Sequence, residues 1–241
     1  MKEIAFYTHA NNKIGFGHLA RCMNLSRILL KNNSKIKIYL IGKFSKAIKL
    51  WVSSEINVNF SLPKKDHLAI YDRMDDIENP EKIDLEFIKK ILARSKHLIL
   101  FANGRKIIKK KILSNSTIIG YKIGKETSKK PYIFWSLKYA PVNTKRIKIK
   151  TRNSVLIALG GNNGNNNVDK LLKAISKSQD IKNIFFLISP VNKMKIKQNL
   201  IRKDQKIEFF HKVPKIEFLF EKINLVIASY GHLAYEALAA C

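Results

Sequence analysis

Acidic residues are scarce in this chain. Only 18 Asp and Glu residues accompany 46 Lys and Arg residues, which gives a formal net charge of +28. Such a charge attracts anions, and these include nucleic acids, acidic lipids and phosphorylated small molecules. The lysines are spread through every segment, however, so the charge permits an anionic partner without identifying one. The basic runs at 106–111 and 145–150 are most simply interpreted as solvated faces or as a linker.

Cysteines and long apolar segments are also scarce. Cys22 and Cys241 form neither a disulfide framework nor a metal-ligand spacing, and this predicts a cytoplasmic protein. No stretch approaches the roughly 20 apolar residues that a membrane-spanning helix needs. The N-terminus begins a strand without the apolar segment of a signal peptide. We therefore expect a monomer with a buried core and no membrane span, with peripheral contact to a membrane left open.

Strand-like and helix-like patterns alternate from end to end. This alternation predicts an α/β protein with parallel, doubly wound sheets. We expect one Rossmann-like domain at 1–142 and a second at 153–241, joined by a basic linker. The predicted helices are His18–Lys31, Ser45–Ser53, Asp84–Ser95, Val168–Ser178, Val191–Ile201, Lys215–Glu221 and His232–Ala240. The predicted strands are Ile4–Thr8, Lys35–Ile41, Ile56–Phe60, Leu68–Tyr71, His97–Phe101, Thr117–Tyr121, Tyr132–Trp135, Val155–Leu159, Ile184–Ile188, Ile207–Phe210 and Leu225–Ala228.

Ligands of open α/β sheets bind at the carboxyl ends of the strands, so the loops that follow strands are candidate sites. The first such loop contains Gly15 and Gly17, which allow positive φ and close approach of the backbone to a ligand. His18 is predicted at the first position of the next helix, where it could exchange a proton near neutral pH. Arg21 shares its helix face and suits a phosphorylated substrate. The alternative is an ordinary strand–helix turn capped by a histidine, while Cys22 is expected in the core.

Two later loops repeat the strand, small-residue turn and helix pattern. In the first, Gly160, Gly161 and Asn162 would turn backbone N–H groups toward phosphate or sugar hydroxyls. The loop matches neither the Walker nor the dinucleotide motif, and an ordinary turn is the alternative. In the second, Ser229 and Gly231 mark a turn that would face a phosphate.

Carboxylates complete the set of candidate residues. Glu236 lies one helical turn beyond His232, where it could accept hydrogen bonds from the hydroxyls of a ribose. The alternative is a surface pair of these two side chains at i, i+4 spacing. Asp72 ends a strand and is predicted to be directed toward the same cleft. Asp75 and Asp76 are interpreted as helix-capping and turn residues, so no metal or cofactor is expected.

Together these loops resemble a known family. The segments Ile14-Gly15-Phe16-Gly17-His18-x-x-Arg21-Cys22, Gly160-Gly161-Asn162-Asn163 and Ser229-x-Gly231-x-x-x-x-Glu236-Ala237 are similar to those of the UDP-sugar hydrolase of pseudaminic acid biosynthesis. Spore-coat polysaccharide glycosyltransferase-like proteins share the pattern. More distantly, so does the lipid-linked N-acetylglucosaminyltransferase of peptidoglycan synthesis.

The resemblance implies a GT-B fold, in which two Rossmann-like domains face a cleft. It implies that Glu236 binds the ribose, and that Ser229 and Gly231 with the Gly160-Gly161 loop bind the diphosphate. His18 would be the acid/base at the anomeric carbon. It would activate water to release UDP from a UDP-2,4-diacetamido-2,4,6-trideoxy sugar, without a metal.

Three features depart from the hydrolase pattern. Met74 occupies the position of a tyrosine, and Ala102-Asn103 replaces a pair of aspartates. The chain also stops at Cys241 where the family continues, and the apolar segment Leu233–Ala240 lacks a helix stop signal. We therefore expect the C-terminal domain to be incomplete.

Three alternative functions stay open from the sequence. A UDP-sugar glycosyltransferase of polysaccharide biosynthesis and a truncated, inactive relative are the first two. A nucleic-acid-binding protein is the least favoured, because Phe185, Phe186 and Phe209 lie in strand-like runs and are expected in the core rather than on a basic face.

Overall fold

The computed structural model describes residues 2–11, 14–73, 75, 83–101, 115–120, 133–135, 140, 142, 146–149, 153–159, 165–188, 198–211, 213, 216–229 and 232–240. Contacts divide the chain into two units. One comprises Met1–Ala10 and His18–Pro141, and the other comprises Asn11–Gly17 and Val142–Cys241.

The first unit is built on a parallel sheet of six strands. These strands are β1 Glu3–Tyr7, β2 Lys37–Ile41, β3 His67–Tyr71, β4 Ser95–Phe101, β5 Ser116–Gly120 and β6 Ile133–Trp135. The helices are α1 Gly17–Asn32, α2 Lys46–Glu55 and α3 Leu85–Leu92. The strand order is β2-β1-β3-β4-β5-β6, so the direction of winding reverses between β1 and β3. The carboxyl ends of two such strands border the crevice where α/β proteins bind ligands.

Apolar residues explain how these elements pack. The strands at the centre of the sheet are nearly continuous apolar runs, as parallel strands covered on both faces require. In α1 the buried side chains are those of Leu19, Cys22, Met23 and Ser26, which confirms that Cys22 is a core residue. The side chains of Ser45 and Asp84 accept backbone N–H groups at the starts of α2 and α3. These caps satisfy donors that a helix start leaves without partners.

The second unit contains a parallel sheet of four strands. Its elements are β7 Ser154–Ala158, α4 Asn165–Ser176, β8 Asn183–Leu187, a 3₁₀ turn Gln198–Leu200, β9 Lys206–Phe210, α5 Glu217–Phe220, β10 Leu225–Ala228 and α6 His232–Ala240. The strand order is β10-β7-β8-β9, and the winding reverses between β7 and β10. Val155 packs with α4 on one face, and Leu156 packs with α5 on the other. Both units therefore have Rossmann-like architecture.

Two local predictions differ from the structure, and a third lies largely outside the described residues. Ile56–Phe60 is not a strand. Within this segment only Asn59 forms a bridge, and its partner is Tyr39 of the edge strand β2. The predicted helix Val191–Ile201 lies largely outside the described residues, and its end is a 3₁₀ turn. Phe209 is 38% exposed and stacks on Phe186 at 5.7 Å, because β9 is an edge strand with an open face.

The helix α6 spans the predicted residues. The carbonyl oxygen of Ala240 accepts a hydrogen bond of 2.9 Å from the N–H of Ile147, in the segment predicted as a linker. A tertiary contact therefore satisfies the helix end in place of a sequence-coded cap. Among the helices of the described residues, none is long and apolar enough to cross a bilayer.

Candidate active site

His18, Arg21 and Asp72 form a compact polar cluster in the first unit. His18 and Arg21 project from the first turn of α1, and Asp72 directly follows β3. The Nδ1 atom of His18 lies 2.7 Å from Oδ1 of Asp72. Arg21 donates from Nε to Oδ2 at 2.7 Å and from Nη2 to Oδ1 at 2.6 Å. Arg21 thus grips the carboxylate with two bonds, and the carboxylate in turn meets the histidine.

The cluster holds a buried negative charge. The Asp72 side chain is only 3% exposed, and the side chains of Arg21 and His18 are 11% and 19% exposed. Burial alone raises the pKa of Asp72, but the charges and hydrogen bonds of Arg21 and His18 outweigh it and hold that pKa well below its usual range. Asp72 is therefore ionised at every physiological pH.

The ionised carboxylate determines the orientation of the His18 ring. Nη2 of Arg21 lies 2.6 Å from the same Nδ1 atom that approaches Asp72, so Nδ1 either donates to the carboxylate or accepts from the guanidinium. We assign the proton to Nδ1. Arg21 already has two bonds to the carboxylate, and an unprotonated Nδ1 would place its lone pair against a lone pair of Oδ1 of Asp72. In this tautomer Nε2 is the basic nitrogen.

The glycine loop before α1 differs from its prediction in two respects. Gly15 has φ 83°, and among the described glycines it alone has positive φ. Its N–H donates to the carbonyl of Asn11 at 2.8 Å, and the Asn11 side chain accepts the N–H of Ile14 at 2.9 Å. Gly17 instead begins α1, so His18 is the second helical residue and not the first. The loop closes as a tight turn that only Gly15 must accommodate.

Two residues near this cluster, His9 and Arg73, were missed from the sequence, and a third, Asp75, was assigned a different role. His9 lies just beyond the end of β1, and its ring centroid is 6.3 Å from that of His18. Arg73 and Asp75 follow β3 and form an ion pair of 2.6 Å. Only their position could have indicated them. His9 follows β1 and the other two follow β3, and these neighbouring strands border the point where the winding reverses.

Asp75 organises the loop after β3. It accepts hydrogen bonds from the Tyr71 hydroxyl and, at 2.9 Å, from the N–H of Asp84. Its predicted role as a helix cap is wrong, since Asp84 caps α3. Burial, followed by the hydrogen bond and charge of Asp75, raises the pKa of the Tyr71 hydroxyl far above its usual range.

In the second unit the structure brings Glu236 and His232 together. The Nε2 atom of His232 lies 3.4 Å from Oε1 of Glu236, and their side chains are 5% and 12% exposed. The pair considered as an alternative is therefore present, but it is largely buried and does not lie on the surface. Ser229 is exposed, and its N–H donates to the carbonyl of Ala158 at 3.1 Å. That bond joins the carboxyl ends of β10 and β7.

Several predicted positions lie outside the described residues. These are Gly160, Gly161, Asn162, Gly231, Met74, Asp76, Ala102 and Asn103. Within the described ranges, no group of three His, Cys, Asp or Glu side chains is arranged as a metal site.

Comparison with known proteins places the chain in a fold. No protein-family model matches it. It is 26% identical to the uncharacterized protein MJ1062 of Methanocaldococcus jannaschii, over 98% of this chain and 53% of that protein. The chain thus spans about half the length of this relative. In structure it is similar to MurG of Acinetobacter baumannii, which has a GT-B fold, with a TM-score of 0.51, 10% identity, and coverage of 97% of this chain and 73% of MurG. The fold is accordingly GT-B, with two Rossmann-like domains.

Proposed function

We propose that this protein is a nucleotide-sugar hydrolase that releases UDP from a UDP-2,4-diacetamido-2,4,6-trideoxy sugar. The observation that carries the proposal is the His18–Asp72 contact of 2.7 Å, held by Arg21 at the carboxyl end of β3. A base hydrogen-bonded to a buried carboxylate is a recurrent arrangement for proton transfer in enzymes. The sequence resemblance supplies the substrate class, and the GT-B fold supports it.

The chemistry requires one proton transfer at His18. Nε2 takes a proton from water as the water oxygen attacks the anomeric carbon. The bond from that carbon to the UDP oxygen breaks, and the electron pair leaves with UDP. Asp72 stabilises the imidazolium that forms, as the carboxylate does in a Ser-His-Asp triad. Arg21 keeps Asp72 ionised and fixed, so it acts through Asp72 and is a positioning residue.

The resemblance assigns the nucleotide to the second unit. In this proposal Glu236 accepts hydrogen bonds from the ribose hydroxyls, and Ser229, Gly231, Gly160 and Gly161 bind the diphosphate. The buried contact with His232 holds the Glu236 carboxylate in one orientation before UDP binds, which lowers the cost of ordering it. We place the reaction in the cytoplasm and assign it no metal.

A second candidate is transfer of the sugar to an acceptor hydroxyl. Met74 favours this reading, because it stands where the hydrolase has a proton-exchanging tyrosine. The His18–Asp72 pair would deprotonate the acceptor just as it would water, so the two reactions share their catalytic base.

The test measures UDP release without an acceptor. The 241-residue chain is incubated with the 2,4-diacetamido sugar nucleotide, alongside His18→Gln and the matched control His97→Gln. His97 is a half-buried histidine of the same unit whose Nε2 contacts Thr117 at 2.8 Å. We expect His18→Gln to lower the rate about 10²–10⁴-fold and His97→Gln to leave it near wild type.

Two results would decide against the proposal. UDP release only after an acceptor hydroxyl is added would establish transfer in its place. Equal rates for wild type and His18→Gln would remove His18 from the chemistry altogether.

A further inference from the structure

His9 is a buried polar side chain near the cluster that has no role in the proposed reaction. It lies two residues beyond β1, beside the reversal of the sheet, and is only 9% exposed. Among the described residues, no hydrogen-bond partner reaches its buried Nε2 atom. Its ring meets the His18 ring nearly at right angles, with an interplanar angle of 75°.

In the described part of this unit, the one other buried histidine, His67, has a partner at each ring nitrogen. In His67, Nε2 lies 3.1 Å from the Tyr7 hydroxyl and Nδ1 lies 2.8 Å from the Lys64 carbonyl. A histidine that serves only packing is expected to look like His67, since buried polar atoms nearly always find partners. The Nε2 atom of His9 has no such partner among the described residues, and its ring lies beside that of the proposed catalytic base, with the ring centroids 6.3 Å apart.

The charges around His9 determine what it can bind. Burial first, and then Arg73 and His18, lower its pKa to about 4, although Asp75 and Asp72 oppose this shift. The ring is therefore neutral at physiological pH and offers no charge to a phosphate. A neutral imidazole presents one donor and one acceptor, which suits an uncharged hydroxyl or amide.

We propose that His9 binds the glycosyl portion of the nucleotide sugar, through a hydrogen bond between Nε2 and a hydroxyl or amide group of the sugar. This assignment rests on the proposed function, because it takes the sugar to lie at His18. His9 would then select and orient the sugar without taking part in proton transfer.

The experiment compares two probes on the full chain by titration calorimetry. UDP carries no sugar, whereas UDP-N-acetylglucosamine adds hydroxyl and amide groups. We expect His9→Phe to weaken binding of UDP-N-acetylglucosamine roughly 3- to 10-fold, the loss of one hydrogen bond, and to leave UDP binding unchanged. His9→Gln, which keeps a donor and an acceptor, should recover part of the affinity, and His97→Phe should match wild type.

A spectroscopic readout separates the role from simple packing. The ¹⁵N shift of His9 Nε2 should move on addition of UDP-N-acetylglucosamine and stay fixed on addition of UDP. If the wild type binds both probes while His9→Phe equals it for both, or if the Nε2 shift ignores the sugar, then His9 has no ligand role. Failure of the wild type to bind either probe would instead overturn the proposed function itself.

Discussion

Replacement of Asp72 by Asn tests both the stability and the chemistry of the candidate site. The change keeps the shape of the side chain and removes its charge. Arg21, whose side chain is 11% exposed, then loses the negative charge that its guanidinium faces, and an amide NH₂ donor replaces one of the two carboxylate oxygens that Arg21 and His18 contact. Since Arg21 cannot regain water without moving, the situation is that of a buried ion pair with one member removed.

Such a change typically costs about 3–5 kcal/mol. For a protein of this size that loss lowers the melting temperature by on the order of 10 °C. The matched control is Glu55→Gln, which breaks the contact of 3.3 Å with Arg27, where the side chains are 16% and 33% exposed. Because that pair is in contact with solvent, its loss should cost no more than about 1 kcal/mol.

The catalytic effect of Asp72→Asn should exceed its effect on folding. Without a carboxylate at Nδ1, the ring can place its proton on Nε2, and Nε2 then no longer accepts a proton. The same substitution in a serine-protease triad costs roughly 10⁴-fold in kcat. We expect a loss of 10²-fold or more in UDP release, measured well below the melting temperature and set against Glu55→Gln.

The pH dependence of stability gives an independent check. The pKa of Asp72 is held below its ordinary value of 3.8, so its contribution is complete above that pH and is lost as the pH falls through the folded-state pKa. The stability difference between wild type and Asp72→Asn should be constant from pH 5 to 8 and close in stronger acid. A melting temperature equal to that of Glu55→Gln would refute the stabilising role, and a wild-type rate of UDP release would refute the orientation of His18.

Three further substitutions have definite expected outcomes. The pKa of His9 falls from 6.5 to about 4 on folding, so the unfolded state binds the proton more tightly than the folded state does. Wild-type stability should therefore decrease by up to about 3 kcal/mol as the pH is lowered from 6.5 to 4, and urea titrations of His9→Phe should lack that slope. Gly42→Ala would set its Cβ 1.8 Å from the carbonyl oxygen of Thr8, so chemical denaturation should reveal a loss of about 1–3 kcal/mol; wild-type stability would contradict the close approach. Glu236→Gln should weaken UDP binding about tenfold in calorimetry by removing a charged acceptor, and unchanged affinity would exclude Glu236 from the ribose site.

Local sequence patterns were enough to predict most of the fold. Apolar periodicity located the helices α1 and α6 to within one or two residues. It failed at Ile56–Phe60, where β-rich composition alone suggested a strand. Strand formation there depends on pairing with β2, and only the Asn59 bridge forms. Pairing is a tertiary property, which the composition of one segment does not determine.

The candidate site was predictable only where its residues are close in sequence. His18 and Arg21 lie one helical turn apart, so their contact follows from helix geometry. Asp72 was placed at the end of a strand, but its bond to His18 depends on β1 and β3 being neighbours. His9 was missed for the same reason, because it follows an ordinary strand end whose importance emerges only from the strand order.

Strand order explains why the candidate site residues lie at only a few places in the fold. In each unit the first strand has a neighbour on either side, and the winding reverses beside it. In the first unit, the segments that follow β1 and β3 at the reversal contain His9, His18, Arg21 and Asp72. In the second unit, Ser229 follows β10 beside the reversal between β7 and β10. Backbone atoms at these ends have no further strand to pair with, so polar side chains can concentrate there without interrupting the sheet. The packing of the helices against the sheet determines the positions of these strand ends. The chemistry of the site then depends on the few residues that follow the strands.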